Sequence, residues 1–169
     1  MANDPAFEAV LPDEEATLAL GRALARALDE TVPQQVLLLA GGLGAGKTTL
    51  VRGLVPALPG GDEARVSSPS FNIMNLYPTE PETAHFDLYR LEGYGTDESL
   101  IEFLQDPSLL VIVEWAQFLA KEHWPADYLL LRWDLEAKQR TVRLTAVGKK
   151  AKETLRALVI DYSAATRIE

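Results

Sequence analysis

Val36-Leu37-Leu38-Leu39-Ala40-Gly41-Gly42-Leu43-Gly44-Ala45-Gly46-Lys47-Thr48-Thr49-Leu50 is the stretch on which the fold turns. The unbroken apolar run Val36 to Ala40 is compatible with a strand buried on both faces, as strands of a largely parallel sheet read. Gly41 to Thr48 fits G-x-x-x-x-G-K-[ST], and Lys47 to Leu58 reads as a helix. Strand, glycine-rich loop and helix in that order make a phosphate cradle. The loop turns backbone N–H groups inward in conformations that a Cβ would obstruct, and the positive end of the following helix faces the same anion. In such a loop Lys47 bridges the outer phosphates and the Thr48 hydroxyl ligates Mg²⁺. The flanking strand and helix set the motif apart from a glycine-rich turn carrying a surface lysine.

Working outward, Asp13 is placed to cap a helix with Glu14 and Glu15 in its first turn and Leu20, Leu24, Ala27 and Leu28 on one face, ending before Pro33. Ile73 to Tyr77 and Thr83 to Asp87 read as short strands joined by a turn around Pro78 and Pro81. Asp97 to Leu104 reads as a helix and Leu109 to Glu114 as a second strongly apolar strand. Tyr128 to Trp133 and Thr141 to Thr145 suggest late strands added antiparallel. Ala151, Leu155, Leu158, Val159 and Tyr162 recur at helical spacing, with 163–169 expected to fray. The pattern predicts an α/β fold: a single P-loop NTPase domain over residues 1–162, with a mostly parallel central sheet, antiparallel additions and helices on both faces.

Composition bounds the function. The chain has 169 residues, no Cys and a formal charge of −9. That length suits one compact domain. Without Cys there are no disulfides, no thiolate catalysis and no cysteine-bound zinc. Met1 to Glu15 carries acidic residues and no basic ones, unlike a secretory signal, and the apolar run Leu109 to Val113 is far short of the roughly 20 residues of a membrane span. A cytoplasmic protein is expected. The negative charge repels a polyanion, and the densest basic stretch, Lys149, Lys150 and Lys152, reads as the solvated start of a helix. Tight direct tRNA binding is therefore not expected.

Magnesium at a phosphate cradle needs further oxygen ligands, usually from a carboxylate at the end of a neighbouring strand. Glu114 ends the run Leu109 to Val113, and Asp87 ends the strand through His85 and Phe86. The candidate metal ligands are thus Thr48, Asp87 and Glu114, and the candidate catalytic set is Lys47, Asp87 and Glu114. His85 reads as a hydrogen-bonded structural residue.

Four blocks in order, Gly42-Leu43-Gly44-Ala45-Gly46-Lys47-Thr48-Thr49, Ser68-Pro69-Ser70-Phe71, His85-Phe86-Asp87-Leu88-Tyr89-Arg90 and Glu114-Trp115, resemble the TsaE family, formerly YjeE. The resemblance implies a small ATPase, slow on its own, required for threonylcarbamoyladenosine formation at position 37 of tRNAs reading codons that start with A. It implies ATP and Mg²⁺ as cofactors and the TsaD and TsaB proteins as partners. It places nucleotide contacts at Gly42, Leu43, Gly44, Ala45, Gly46, Lys47, Thr48, Thr49, Ser70 and Trp115, with Asp87 and Glu114 near the metal. The third position of Ser68-Pro69-Ser70-Phe71, a switch-like segment in the family, is Ser70 rather than Thr and keeps the hydroxyl. Gly42 stands where the family usually has Asp, and Ala116-Gln117 follows Trp115 where a Pro or Ala and an acidic residue are common. Trp115 is expected to pack against the loop; Tyr89 and Arg90 face either a partner or solvent.

A small-molecule kinase of the shikimate-kinase type fits the loop alone, but the Arg-rich lid such an enzyme needs to exclude water is not evident. A nucleotide-gated interaction module without turnover is a third reading, and the guanine-reading Asn-Lys-x-Asp pattern does not occur. No Gln or Arg stands out as the residue aligning an attacking water, so slow basal turnover completed by a partner is expected. Lys47 is expected to be exposed in the free protein, serving the phosphates alone.

Overall fold

The computed structural model describes residues 4–28, 35–96, 98–134 and 139–165. Its regular elements are β1 (Ala6–Val10), α1 (Glu14–Ala27), β2 (Gln35–Ala40), α2 (Lys47–Leu54), β3 (Met74–Tyr77), β4 (Thr83–Asp87), α3 (Glu98–Gln105), β5 (Leu110–Glu114), β6 (Tyr128–Asp134), β7 (Thr141–Val147) and α4 (Lys149–Ala165). Among the described residues the strands form one seven-stranded sheet in the order β1-β7-β6-β2-β5-β4-β3. The centre, β6-β2-β5-β4, is parallel; β3 adds antiparallel at one edge, and β7 and β1 add antiparallel at the other.

Strand periodicity divides the core. In β2, Leu37 and Leu39 join Ile112, Leu129 and Leu131 beneath α1, α2 and α4, whereas Val36 and Leu38 join Val111, Val113 and Phe86 on the face covered by α3. Because successive side chains point to opposite faces, Ile112 and Glu114 share the α2 side of the sheet, as do His85 and Asp87, which alternate with Ala84 and Phe86. The α/β fold with helices on both faces is as expected.

Several boundaries differ from the sequence reading for local reasons. The helix after the glycine loop stops at Leu54 and tightens into a 3₁₀ turn over Val55–Ala57, because Pro56 lacks the N–H that would continue it. The third strand starts at Met74, since Ile73 adopts a left-handed φ of 67°. The late strands extend to Asp134 and Val147. The strand Ala6–Val10 has no counterpart in the sequence reading. The closing helix starts at Lys149, with Asp127 accepting from the Lys150 and Ala151 N–H groups, and runs to Ala165. Residues 166–169 of the expected tail, Pro33, and Asp97 as the start of α3 lie outside the described residues.

Asp13 caps α1 as expected, accepting from the Ala16 N–H at 2.8 Å. Helices α1 and α2 cross at two glycines. A Cβ on Gly21 would lie 2.3 Å from the Leu50 carbonyl oxygen, and one on Gly53 2.3 Å from that of Leu18. This contact presses α2, and with it the glycine loop, against the start of α1. Gly21→Ala and Gly53→Ala should therefore each destabilise the fold by about 1–3 kcal/mol through overpacking. A fall in urea midpoint at constant slope is the expected readout; an unchanged midpoint would show that the helices separate freely.

Candidate functional site

The glycine loop leaves β2 at the carboxyl edge of the parallel strands, where Leu39 pairs in register with Glu114 and Glu114 with Asp87. Topology thus brings three distant segments to one edge, the usual ligand position in open α/β sheets. Gly44 and Gly46 have φ of 71° and 107°, a region in which a Cβ is strained, so these loop positions require glycine. A cleft of about 730 Å³ opens above the loop, lined by residues that include Leu43 to Thr49, Ser68, Ser70, Asp87, Tyr89, Glu114, Trp115 and Arg140. That volume is in the range of small-molecule sites.

Lys47 is 5% exposed, contrary to the expected free side chain. Its Nζ folds back onto the loop, donating to the carbonyls of Gly41 at 2.9 Å and Gly42 at 2.7 Å, and lies 3.9 Å from the centre of the Trp115 ring. The cause is the tight turn, which points these carbonyls at the first residue of α2. Burial lowers the Lys47 pKa from its ordinary value, while the charges of Glu114 and Asp87 act in the opposite sense. An anion on the loop would add a further interaction favouring the ammonium form.

Glu114 is 2% exposed. The Thr48 hydroxyl donates to its carboxylate, 2.9 Å from both oxygens, and His85 Nε2 lies 2.8 Å from Oε1. A carboxylate only accepts, so Nε2 carries the hydrogen and Nδ1 is left buried without a partner. This is the hydrogen-bonded structural role expected of His85. Asp87 accepts from the Ser68 hydroxyl and from the Tyr89 N–H.

Of the remaining expected contacts, Leu43, Gly44, Ala45, Gly46, Thr49 and Ser70 line the cleft. Gly42 is not among the lining residues; its carbonyl is occupied by Lys47 and the Ala45 N–H. Trp115, at a left-handed φ of 58°, packs between Tyr89 and Phe118, and Arg90 lies over the exposed Phe71 ring.

Residues 11–143 match the family described as "Threonylcarbamoyl adenosine biosynthesis protein TsaE". The chain is 33% identical to the tRNA threonylcarbamoyladenosine biosynthesis protein TsaE of Aquifex aeolicus, covering 81% of this chain and 94% of that one. It is 37% identical to the protein of the same name from Streptomyces coelicolor, covering 78% and 90%. The fold is similar to the crystal structure of Bacillus subtilis YdiB, with a TM-score of 0.75 at 25% identity over 95% of this chain and 99% of that one. The chain belongs to the TsaE family.

For a TsaE protein, the residues at the loop fit a hard cation bound with a nucleotide. No group of three or more His, Cys, Asp or Glu suited to a metal occurs among the described residues. A cation here would instead draw on the Thr48 hydroxyl, the nearby carboxylates and ligand oxygens, a donor set suited to Mg²⁺. The sequence reading missed three side chains at this site. Ser68 holds Asp87, Gln117 donates to the Gly41 carbonyl at 3.2 Å, and Arg140 lies 3.5 Å from the Gly44 carbonyl. Ser68 was visible within its four-residue block; the other two reach the loop only through the sheet order.

The buried pairing yields a stability test independent of ligand. Glu114→Ala would strand the His85 N–H in the interior and should cost about 1–3 kcal/mol, whereas Glu114→Gln keeps an acceptor and should cost less. Urea unfolding of both variants measures the difference; equal losses would mean that the hydrogen bonds contribute nothing.

Proposed function

We propose that this TsaE protein is a Mg²⁺-dependent ATPase that works in the cytoplasm with TsaD and TsaB in forming threonylcarbamoyladenosine at position 37 of tRNAs reading codons that start with A. The observation that carries the proposal is the meeting of Lys47, Thr48, Glu114 and Asp87 at one cleft in a chain of this family. The names of the relatives supply the pathway, and the glycine loop supplies the nucleotide chemistry. Among the described residues no helix is long and apolar enough to cross a membrane.

On this reading the loop N–H groups and Lys47 take the phosphates, Lys47 exchanging its carbonyl partners for phosphate oxygens. Thr48, Glu114 and Asp87 would hold the magnesium, which supplies charge neutralisation at the outer phosphates. The carboxylates are held in advance, Glu114 by His85 and Asp87 by Ser68 and the Tyr89 N–H, so little reorganisation is needed. The family match gives the small-molecule kinase alternative no observation in its favour.

Lys47→Ala should lower ATP turnover by about a hundredfold or more, the usual cost of losing one preorganised contact to transition-state charge. Because Lys47 is buried, its thermal unfolding must be measured alongside. Near-normal turnover by the folded variant would remove the P-loop mechanism, and undiminished tRNA modification with TsaD and TsaB would remove the coupling.

Asp87→Asn and Glu114→Gln should each raise the magnesium concentration required for half-maximal turnover, since a neutral amide replaces an anionic oxygen. A variant with the wild-type magnesium dependence would show its residue to be no ligand.

A further inference from the structure

The glycine loop stands between two unlike groups of strand ends. On one side lie the tips of β5 and β4 with Glu114 and Asp87; on the other the sheet continues through β6, β7 and β1. Since β7 is antiparallel to β6, and β1 to β7, β7 begins and β1 ends at the same edge as the loop. Thr141 pairs with both Asp134 and Val10. The Leu11 N–H donates to the Arg140 carbonyl at 2.8 Å, fastening the start of β7 to the end of β1. Arg140 therefore reaches the loop from the side away from Glu114 and Asp87.

Its half-buried side chain lines the cleft. Nη2 lies 3.5 Å from the Gly44 carbonyl oxygen, and Nη1 3.8 Å from where a Cβ on Gly46 would stand. A carbonyl at the far limit of hydrogen bonding occupies at most one of five guanidinium donors. The same side is completed by Pro12, Asp13 and Glu14, all exposed. Their two carboxylates disfavour a phosphate chain running in that direction. They suit a neutral group with hydroxyl donors, since a carboxylate accepts at several lone pairs and the Asp13 cap uses only some of them.

We propose that Arg140 holds the nucleoside end of a nucleotide whose phosphates occupy the loop, its planar guanidinium lying along the base, with Asp13 and Glu14 accepting from the sugar hydroxyls. This rests on the nucleotide reading of the glycine loop. It assigns Arg140 to affinity and nucleoside recognition, and separates it from charge stabilisation at the terminal phosphate, which belongs to the Glu114 side.

The test is calorimetric binding of ATP and of inorganic tripolyphosphate, each with magnesium, to wild type, Arg140→Ala and Arg140→Lys. Arg140→Ala should weaken ATP binding about tenfold or more and leave tripolyphosphate binding unchanged, which also reports a folded site. Arg140→Lys should restore little, since an ammonium lacks the planar face. Equal loss for both ligands would make Arg140 a phosphate contact and overturn the inference, as would ATP binding at wild-type strength. Wild type binding neither ligand would overturn the nucleotide reading itself, and the inference with it.

Discussion

A carboxylate taken out of water is costly unless its oxygens are hydrogen-bonded, and the Glu114 carboxylate is almost fully enclosed. Its partners come from different parts of the chain: Thr48 from the first turn of α2 and His85 from the middle of β4. One group thereby ties the helix after the glycine loop to two parallel strands. The tie depends on strand register. Slipping β4 or β5 by one residue would turn His85 or Glu114 toward the α3 face, into the layer of Phe86, Val111 and Val113. The apolar alternation that packs the sheet and the polar contact that shapes the cleft therefore enforce the same alignment.

Lys47 meets the opposite problem. Its ammonium is desolvated, its pKa is lowered by that burial, and its nearest acceptors are two loop carbonyls rather than a carboxylate. The electron-rich face of Trp115 adds a weak attraction from below. Such a lysine is positioned but incompletely neutralised. On the proposed function this places a positive charge beside the phosphates without first locking it into an ion pair that a ligand would have to break.

The glycine loop, the two apolar strands beside it and the strand-end carboxylates were legible in the sequence because each is a local pattern: a motif in Gly41 to Thr48, unbroken apolar runs, and an acid at the end of a strand. The enclosure of Lys47 and Glu114 was not, since it depends on which strands become neighbours. β1 escaped because Ala6-Phe7-Glu8-Ala9-Val10 is short and weakly patterned, and it is defined by its pairing with β7. Arg140 escaped for a related reason. It belongs to no motif, and only the sheet order, which folds β7 and β1 back to the edge of the loop, carries it to Gly44.

The sheet order also bears on the charge of the molecule. A chain of net charge −9 repels anions at long range, yet screening limits that field to about 8 Å at physiological ionic strength. Within that distance the loop offers inward N–H groups, the positive end of α2, Lys47 on its inner side and Arg140 on its outer side. A single nucleotide is small enough to lie within this local field. A polynucleotide is not: its phosphates would extend past the cleft over an acidic surface, where Asp13 and Glu14 already stand at the rim. The same charge distribution can thus admit a nucleotide and disfavour RNA. On the proposed reading, it leaves contact with the tRNA to the partner proteins rather than to this chain.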